Sequence, residues 1–176
     1  MVIFFFSWVD SDVILANPNI KLETFLPSEK MDLVHFIVSD DLNGLNCGVF
    51  FIRVHPWSLN LLMRAYSYFY YHQDRYLLFA DQSSINNVLT GSSDTEEHYI
   101  IVPQYWFNRY IGDKEKGEFL VHLAGESEKS LKAKEFRLQI KNDTEWYTSM
   151  NSSDLRKKVL EYYDLPKEKQ HKIHFQ

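Results

Sequence analysis

Apolar, strand-like runs alternate with helix-periodic stretches in this chain, and polar residues gather just after the strands. Together these predict an α/β protein whose site lies at the carboxyl ends of its strands. The composition fits one domain with a packed core: 176 residues, 45% of them hydrophobic and 16% aromatic. The most telling strand end is the first, where Val2-Ile3-Phe4-Phe5-Phe6-Ser7-Trp8-Val9 stops at Asp10-Ser11-Asp12.

That first run is rich in aromatic and β-branched residues and reads as a buried strand. Side chains at i and i+2 of an extended chain point the same way, so Asp10 and Asp12 can converge on one hard cation such as Mg²⁺ or Mn²⁺. An Asp-x-Asp pair is also a common strand-end turn that merely exposes two acids, and both readings stand at this point. Val13-Ile14-Leu15 is a second apolar stretch, Asn17-Pro18-Asn19 a turn, and residues 21–30 a short amphipathic connector ending near Pro27. Residues 33–38 form another apolar run, closed by Asp40-Asp41. The glycine-punctuated segment Asn43-Gly44-Leu45-Asn46-Cys47-Gly48 then reads as a loop, open to close backbone approach by a ligand, that feeds a fully apolar strand over residues 49–53.

His55-Pro56-Trp57 opens the strongest helix, with proline in the first turn, where its missing N–H costs nothing. Leu59, Leu62, Met63, Tyr66 and Tyr70 recur at helical spacing and are expected to face the core. A second helix is predicted over residues 81–89, ended by Gly91, with a polar turn over residues 91–97. The strand Tyr99-Ile100-Ile101-Val102 stops at Pro103, and a charged loop over residues 112–117 precedes Phe119-Leu120-Val121-His122-Leu123-Ala124-Gly125. Beyond Glu126 the chain is mostly polar until a short terminal helix over residues 155–163.

The charge balance, 19 Lys and Arg against 24 Asp and Glu for a net −5, leaves no basic footprint, so nucleic acid is not an expected partner. No apolar run approaches the roughly 20 residues of a bilayer span. A single cysteine, Cys47, excludes an internal disulfide. Two glycosylation sequons, Asn142-Asp143-Thr144 and Asn151-Ser152-Ser153, point weakly to the secretory pathway.

Taken singly, the polar candidates each carry two readings. His122, between Val121 and Leu123, is a core histidine or a metal ligand; Asp81 is a helix N-cap or a site acid; Asn46 is a left-handed turn residue or a ligand contact. Arg53 reads as the partner of a surface acid and Cys47 as a buried filler. Trp57, Tyr66, Phe69 and Tyr70 read as core or rim ahead of a sugar platform.

Their order is more specific. Trp8-Val9-Asp10-Ser11-Asp12, Asn17-Pro18, Gly44-Leu45-Asn46-Cys47-Gly48-Val49-Phe50-Phe51-Ile52-Arg53, Pro56-Trp57-Ser58-Leu59, Asp81-Gln82-Ser83 and Val121-His122-Leu123-Ala124-Gly125 follow one another along residues 6–125. This series resembles the fungal α-galactosyltransferase and mannosyltransferase-complex family, which also holds plant xyloglucan xylosyltransferases. The resemblance implies a GT-A-type, Rossmann-like mixed sheet flanked by helices over residues 1–140, with residues 141–176 a polar extension carrying a short helix. It implies a retaining hexosyltransferase moving galactose or mannose from UDP-galactose or GDP-mannose to a glycan acceptor in protein glycosylation, in the Golgi, with partners in a glycosyltransferase complex. By the same resemblance Asp10, Asp12 and His122 hold Mn²⁺. Asp10 also reaches the ribose, Gly125 and Lys129 meet the diphosphate, Asn46 and Gly48 hold the donor, and Asp81 and Gln82 line the reacting face of the sugar.

Such enzymes precede this strand with βαβ units for the nucleotide base, and before those a membrane anchor. With Asp10 nine residues after Met1, an N-terminally truncated domain is expected. The alternatives are a non-catalytic remnant or subunit acting through protein contacts, and a plain structural α/β domain whose acids bind nothing.

Overall fold

The computed structural model describes residues 4–92 and 95–173. Val2 and Ile3 of the first apolar run, and Ser93 and Asp94 of the predicted turn, lie outside the described residues. The chain forms two compact units: Met1–Trp8, Glu29–Pro103 and Glu168–Gln176 make one, Val9–Ser28 and Gln104–Lys167 the other. Each has its own mixed sheet and helices, as an α/β reading requires, with two sheets where the sequence suggested one.

The first unit carries β1 (Phe5–Val9), β3 (Phe36–Asp41), β4 (Gly44–Arg53) and β5 (Tyr99–Val102) in the order β1-β4-β3-β5. β3 runs antiparallel to β4 and parallel to β5. The segment expected as a loop over residues 43–48 is instead the start of β4, which is buried along its whole length. The turn falls earlier, at Leu42-Asn43, where Asn43 N–H donates to Asp41 Oδ1 at 2.6 Å and Gly44 takes φ 99°. That left-handed backbone is what the glycine supplies. A register shift between Val38 and Ser39 absorbs the extra length, so Ser39 faces Asn46.

β1 is not the buried strand expected. It lies at the sheet edge and leaves Phe4 at 64%, Phe6 at 68% and Trp8 at 55% exposure. Two helices, α1 (Pro56–Tyr71) and α2 (Ala80–Thr90), complete this unit. The face of α1 that enters the core is Ser58, Leu61 and Ala65, and it packs with Ile85, Val88 and Leu89 of α2 against Phe36, Leu45 and Ile101. Leu59, Leu62, Met63, Tyr66 and Tyr70, expected inside, are on the outside. The smaller apolar face of α1 is the one covered. The larger face walls a groove of about 870 Å³ between α1 and α2.

The second unit holds β2 (Val13–Leu15), β6 (Arg109–Tyr110) and β7 (Leu120–His122) in the order β2-β7-β6, with β2 antiparallel and β6 parallel to β7. The polar stretch after Glu126 is helical well before residue 155: α3 (Lys129–Asn142) is followed by α4 (Glu145–Thr148) and α5 (Ser152–Tyr163). α3 buries only Phe136, whose ring meets Trp146 edge-on at 4.9 Å within a core of Ile14, Ala16, Val121 and Leu123. Asn17 is fully buried and ties this unit together, its Nδ2 donating to Gly117 O at 3.1 Å and Met150 O at 3.0 Å. No helix among the described residues is long and apolar enough to cross a membrane.

Candidate functional site

Strand pairing brings residue 12 to residue 122. Val13 of β2 lies opposite His122 of β7, and one step further Leu123 N–H donates to Asp12 O at 3.0 Å. Asp10 joins them by a route other than the extended one expected. Val13 N–H donates to Asp10 O at 3.2 Å, closing a turn over Asp10-Ser11-Asp12-Val13. The outcome is nonetheless convergent: one ligand atom each from Asp10, Asp12 and His122 lie within 4.8 Å of one another.

His122 is 4% exposed, and burial lowers its pKa below the usual imidazole value against the pull of Asp12 and Asp10. A neutral imidazole carries one proton. Asn108 Oδ1, on a fully buried side chain, sits 2.9 Å from Nδ1, so one ring nitrogen faces a carboxamide and the other a carboxylate. Nε2 lies 3.2 Å from Asp12 Oδ1, a distance that suits a hydrogen bond or two ligands of one cation. A separation near 3 Å is also about the spacing of adjacent ligands around an octahedral ion with bonds of about 2.1 Å. Two carboxylates and one imidazole suit a hard to borderline divalent ion.

Asp12 Oδ2 turns the other way, to Lys129 Nζ at 2.6 Å. Burial alone would raise the pKa of Asp12, but the hydrogen bond from Lys129, with charge from His122 and Lys129, brings it below the ordinary carboxylate value. Lys129 opens α3 after two left-handed residues, Gly125 at φ 69° and Glu128 at φ 55°. A Cβ on Gly125 would meet nothing within 4 Å, so backbone conformation, not crowding, favours glycine there.

The remaining candidates lie in the first unit. Asn46 is a buried strand residue, not a left-handed turn residue: its Nδ2 donates to Asp41 Oδ2 at 2.9 Å and its Oδ1 accepts from Gly48 N–H at 2.9 Å. Gln82 Oε1 accepts from Cys47 N–H at 3.2 Å. The N-cap of α2 is Phe79; Asp81 is in the first turn, exposed, and lines the α1–α2 groove. Cys47 is buried, as expected. Arg53 is buried too, and donates to the Asp32 backbone carbonyl where a surface acid was expected.

Two features had no counterpart in the sequence reading. Asn108 orients the histidine yet belongs to no motif. In the first unit, His35 stacks on His55 at 4.0 Å and on Trp57 at 5.5 Å, and its Nδ1 lies 3.0 Å from that of His98. Burial, with His55, His98 and Arg53 around it, pushes His35 down to about 4.

Residues 27–131 match the galactosyl transferase GMA12/MNN10 family. The match takes in Asn46, Gly48, Asp81, Gln82, His122, Gly125 and Lys129 and begins after Asp10 and Asp12. An alpha-1,2-galactosyltransferase of Schizosaccharomyces pombe is 29% identical over 100 residues, covering 52% of this chain and 25% of the relative. The fold is similar to the crystal structure of a glycosyltransferase involved in the glycosylation of the major capsid of PBCV-1, with a TM-score of 0.56 and 16% identity, covering 76% of this chain and 66% of that one.

Proposed function

Because the chain belongs to the galactosyl transferase GMA12/MNN10 family, we propose that it carries the metal and diphosphate end of a retaining glycosyl-transfer site. The donor is UDP-galactose or GDP-mannose, and the hexose goes to a glycan acceptor in protein glycosylation. The observation that carries this reading is the convergence of Asp10, Asp12 and His122, with His122 Nε2 3.2 Å from Asp12 Oδ1.

Asp10, Asp12 and His122 would hold Mn²⁺, which when bound supplies Lewis-acid stabilisation of the departing diphosphate. Asn108 keeps the His122 tautomer that offers Nε2, the task of a partner behind a metal ligand. Lys129 places an ammonium at the same point, and the open left-handed turn at Gly125 leaves room for phosphate oxygens to approach backbone. In the first unit we assign the sugar side of the donor to Asn46, Gly48, Asp81 and Gln82. Support for this comes from their place in the motif series and from the hydrogen bonds that fix the Asn46 and Gln82 carboxamides. The sequon asparagines Asn142 and Asn151 are both exposed, which supports a Golgi setting, and complex partners of the same class fit that setting.

The test is hydrolysis and transfer from both donors, with Mn²⁺ and after its removal by chelator. Donor turnover is expected to need Mn²⁺ and to disappear in Asp12→Ala and in His122→Ala. Activity within about tenfold of wild type in His122→Ala would remove the ligand assignment. Mn²⁺ and nucleotide binding with no turnover at all would favour the non-catalytic subunit.

A further inference from the structure

We propose that Lys129 is a resident counter-ion of Asp12, whose charge opposes a divalent cation and which a diphosphate draws away, so that cation and diphosphate each strengthen binding of the other. The inference rests on the metal reading above and adds to it a coupling device in this chain's own side chains.

Asp12 has two oxygens with different neighbours. Oδ1 faces His122 Nε2 at 3.2 Å, and Oδ2 receives Lys129 Nζ at 2.6 Å. With Lys129 in place, Asp10, Asp12 and Lys129 sum to one negative charge; with the ammonium elsewhere they sum to two. A divalent ion is therefore offered half the charge while the pair persists. The Lys129 side chain is 46% exposed and that of Asp12 17%, so the pair sits at the rim, where a four-carbon stem is able to swing without disturbing a core. Its anchor is defined: Glu128 holds φ 55°, a conformation that a residue bearing a Cβ adopts only at a cost, and it sets Lys129 at the first position of α3 above Asp12. A diphosphate offers the ammonium several charged acceptors in place of one carboxylate. Drawing Lys129 off Asp12 then restores the full negative charge to the cation site, and linkage makes the effect reciprocal.

The experiment measures Mn²⁺ binding by electron paramagnetic resonance of the free ion. It uses the full chain, alone and with saturating inorganic pyrophosphate, in wild type, Lys129→Gln, Lys129→Arg and Asp12→Asn. Lys129→Gln is expected to bind Mn²⁺ alone about fivefold more tightly than wild type, a gain that shrinks at high salt. It should bind pyrophosphate alone more weakly and show a smaller mutual enhancement of the two. Lys129→Arg, which keeps the charge, should stay within about twofold of wild type in Mn²⁺ binding. Unchanged or weaker Mn²⁺ binding by a folded Lys129→Gln, where wild type binds and Asp12→Asn does not, overturns the counter-ion role and leaves the metal site standing. Failure of wild type and Lys129→Gln alike to bind Mn²⁺, with or without pyrophosphate, overturns the metal reading and this inference with it.

Discussion

Around Asn46, in the first unit, donors meet acceptors: the carboxamide gives to Asp41 and takes from Gly48, and Gln82 takes from Cys47. Around Asp12, in the second unit, two carboxylates converge on one imidazole, with His122 Nε2 3.2 Å from Asp12 Oδ1 and Asp10 alongside. Both clusters are polar groups near strands, and both were picked out by the same motif series. The contrast shows what separates a polar group that completes the fold from one that waits for a ligand. The first kind has its bonding capacity balanced within the protein, and the second has an excess of one sign.

The sharpest way to break this contrast is at its unbalanced end. Asp12→Ala and His122→Ala should each lower Mn²⁺ affinity by more than about a hundredfold, measured by calorimetric titration. Thermal stability should fall in His122→Ala, which takes a hydrogen-bond partner from buried Asn108, and move less in Asp12→Ala, which loses the rim pair with Lys129. A step down, Asn108→Ala should cost about 10- to 100-fold in Mn²⁺ affinity by freeing the tautomer and ring orientation of His122, and Asn108→Asp, which keeps an acceptor at Nδ1, should recover most of it. At the balanced end the signature reverses. Asn46→Ala should destabilise the fold by about 1–3 kcal/mol in urea unfolding, since Gly48 N–H and Asp41 both lose a partner, with Mn²⁺ binding unchanged.

The smallest expected effect sharpens the contrast within the first unit itself. His35 is held down to about 4, against an ordinary value near 6.5, so between those values the unfolded chain binds more protons than the folded one. Its contribution is present above pH 6.5 and is lost as pH falls toward 4. His55, His98 and Arg53 face it, and positive charge on them opposes its protonation. The loss from pH 7 to pH 6 should be about 1 kcal/mol or less, part of it screened by solvent, and His35→Phe should flatten the dependence of Tm on pH.

The cluster of Asp10, Asp12 and His122 was legible because the motifs come in a fixed order. What the sequence could not carry was geometry of another kind. Asp10 and Asp12 meet through a turn closed by Val13 N–H, and an alternating pattern does not tell a turn from an extended pair. Helical spacing marked α1 correctly, but α1 has two apolar faces, and periodicity alone does not say which of them meets the sheet and α2. In α3 one buried residue, Phe136, is too thin a stripe to register as a period among lysines and glutamates. Asn108 could have been found only through its partner, since a lone asparagine after Phe107 carries no pattern.

The pairing that joins Asp12 to His122 is only three residues long on β2, yet the loop it closes spans most of the chain. Contacts of such sequence separation form late in folding, because the entropy of closing the loop must be met before they can contribute. The ligand set is therefore assembled only once β2 has docked against β7. An ion held by Asp10, Asp12 and His122 would then act as a rivet between β2 and β7. Its influence should fall on the rate at which that sheet comes apart, leaving the rate at which it first forms nearly untouched.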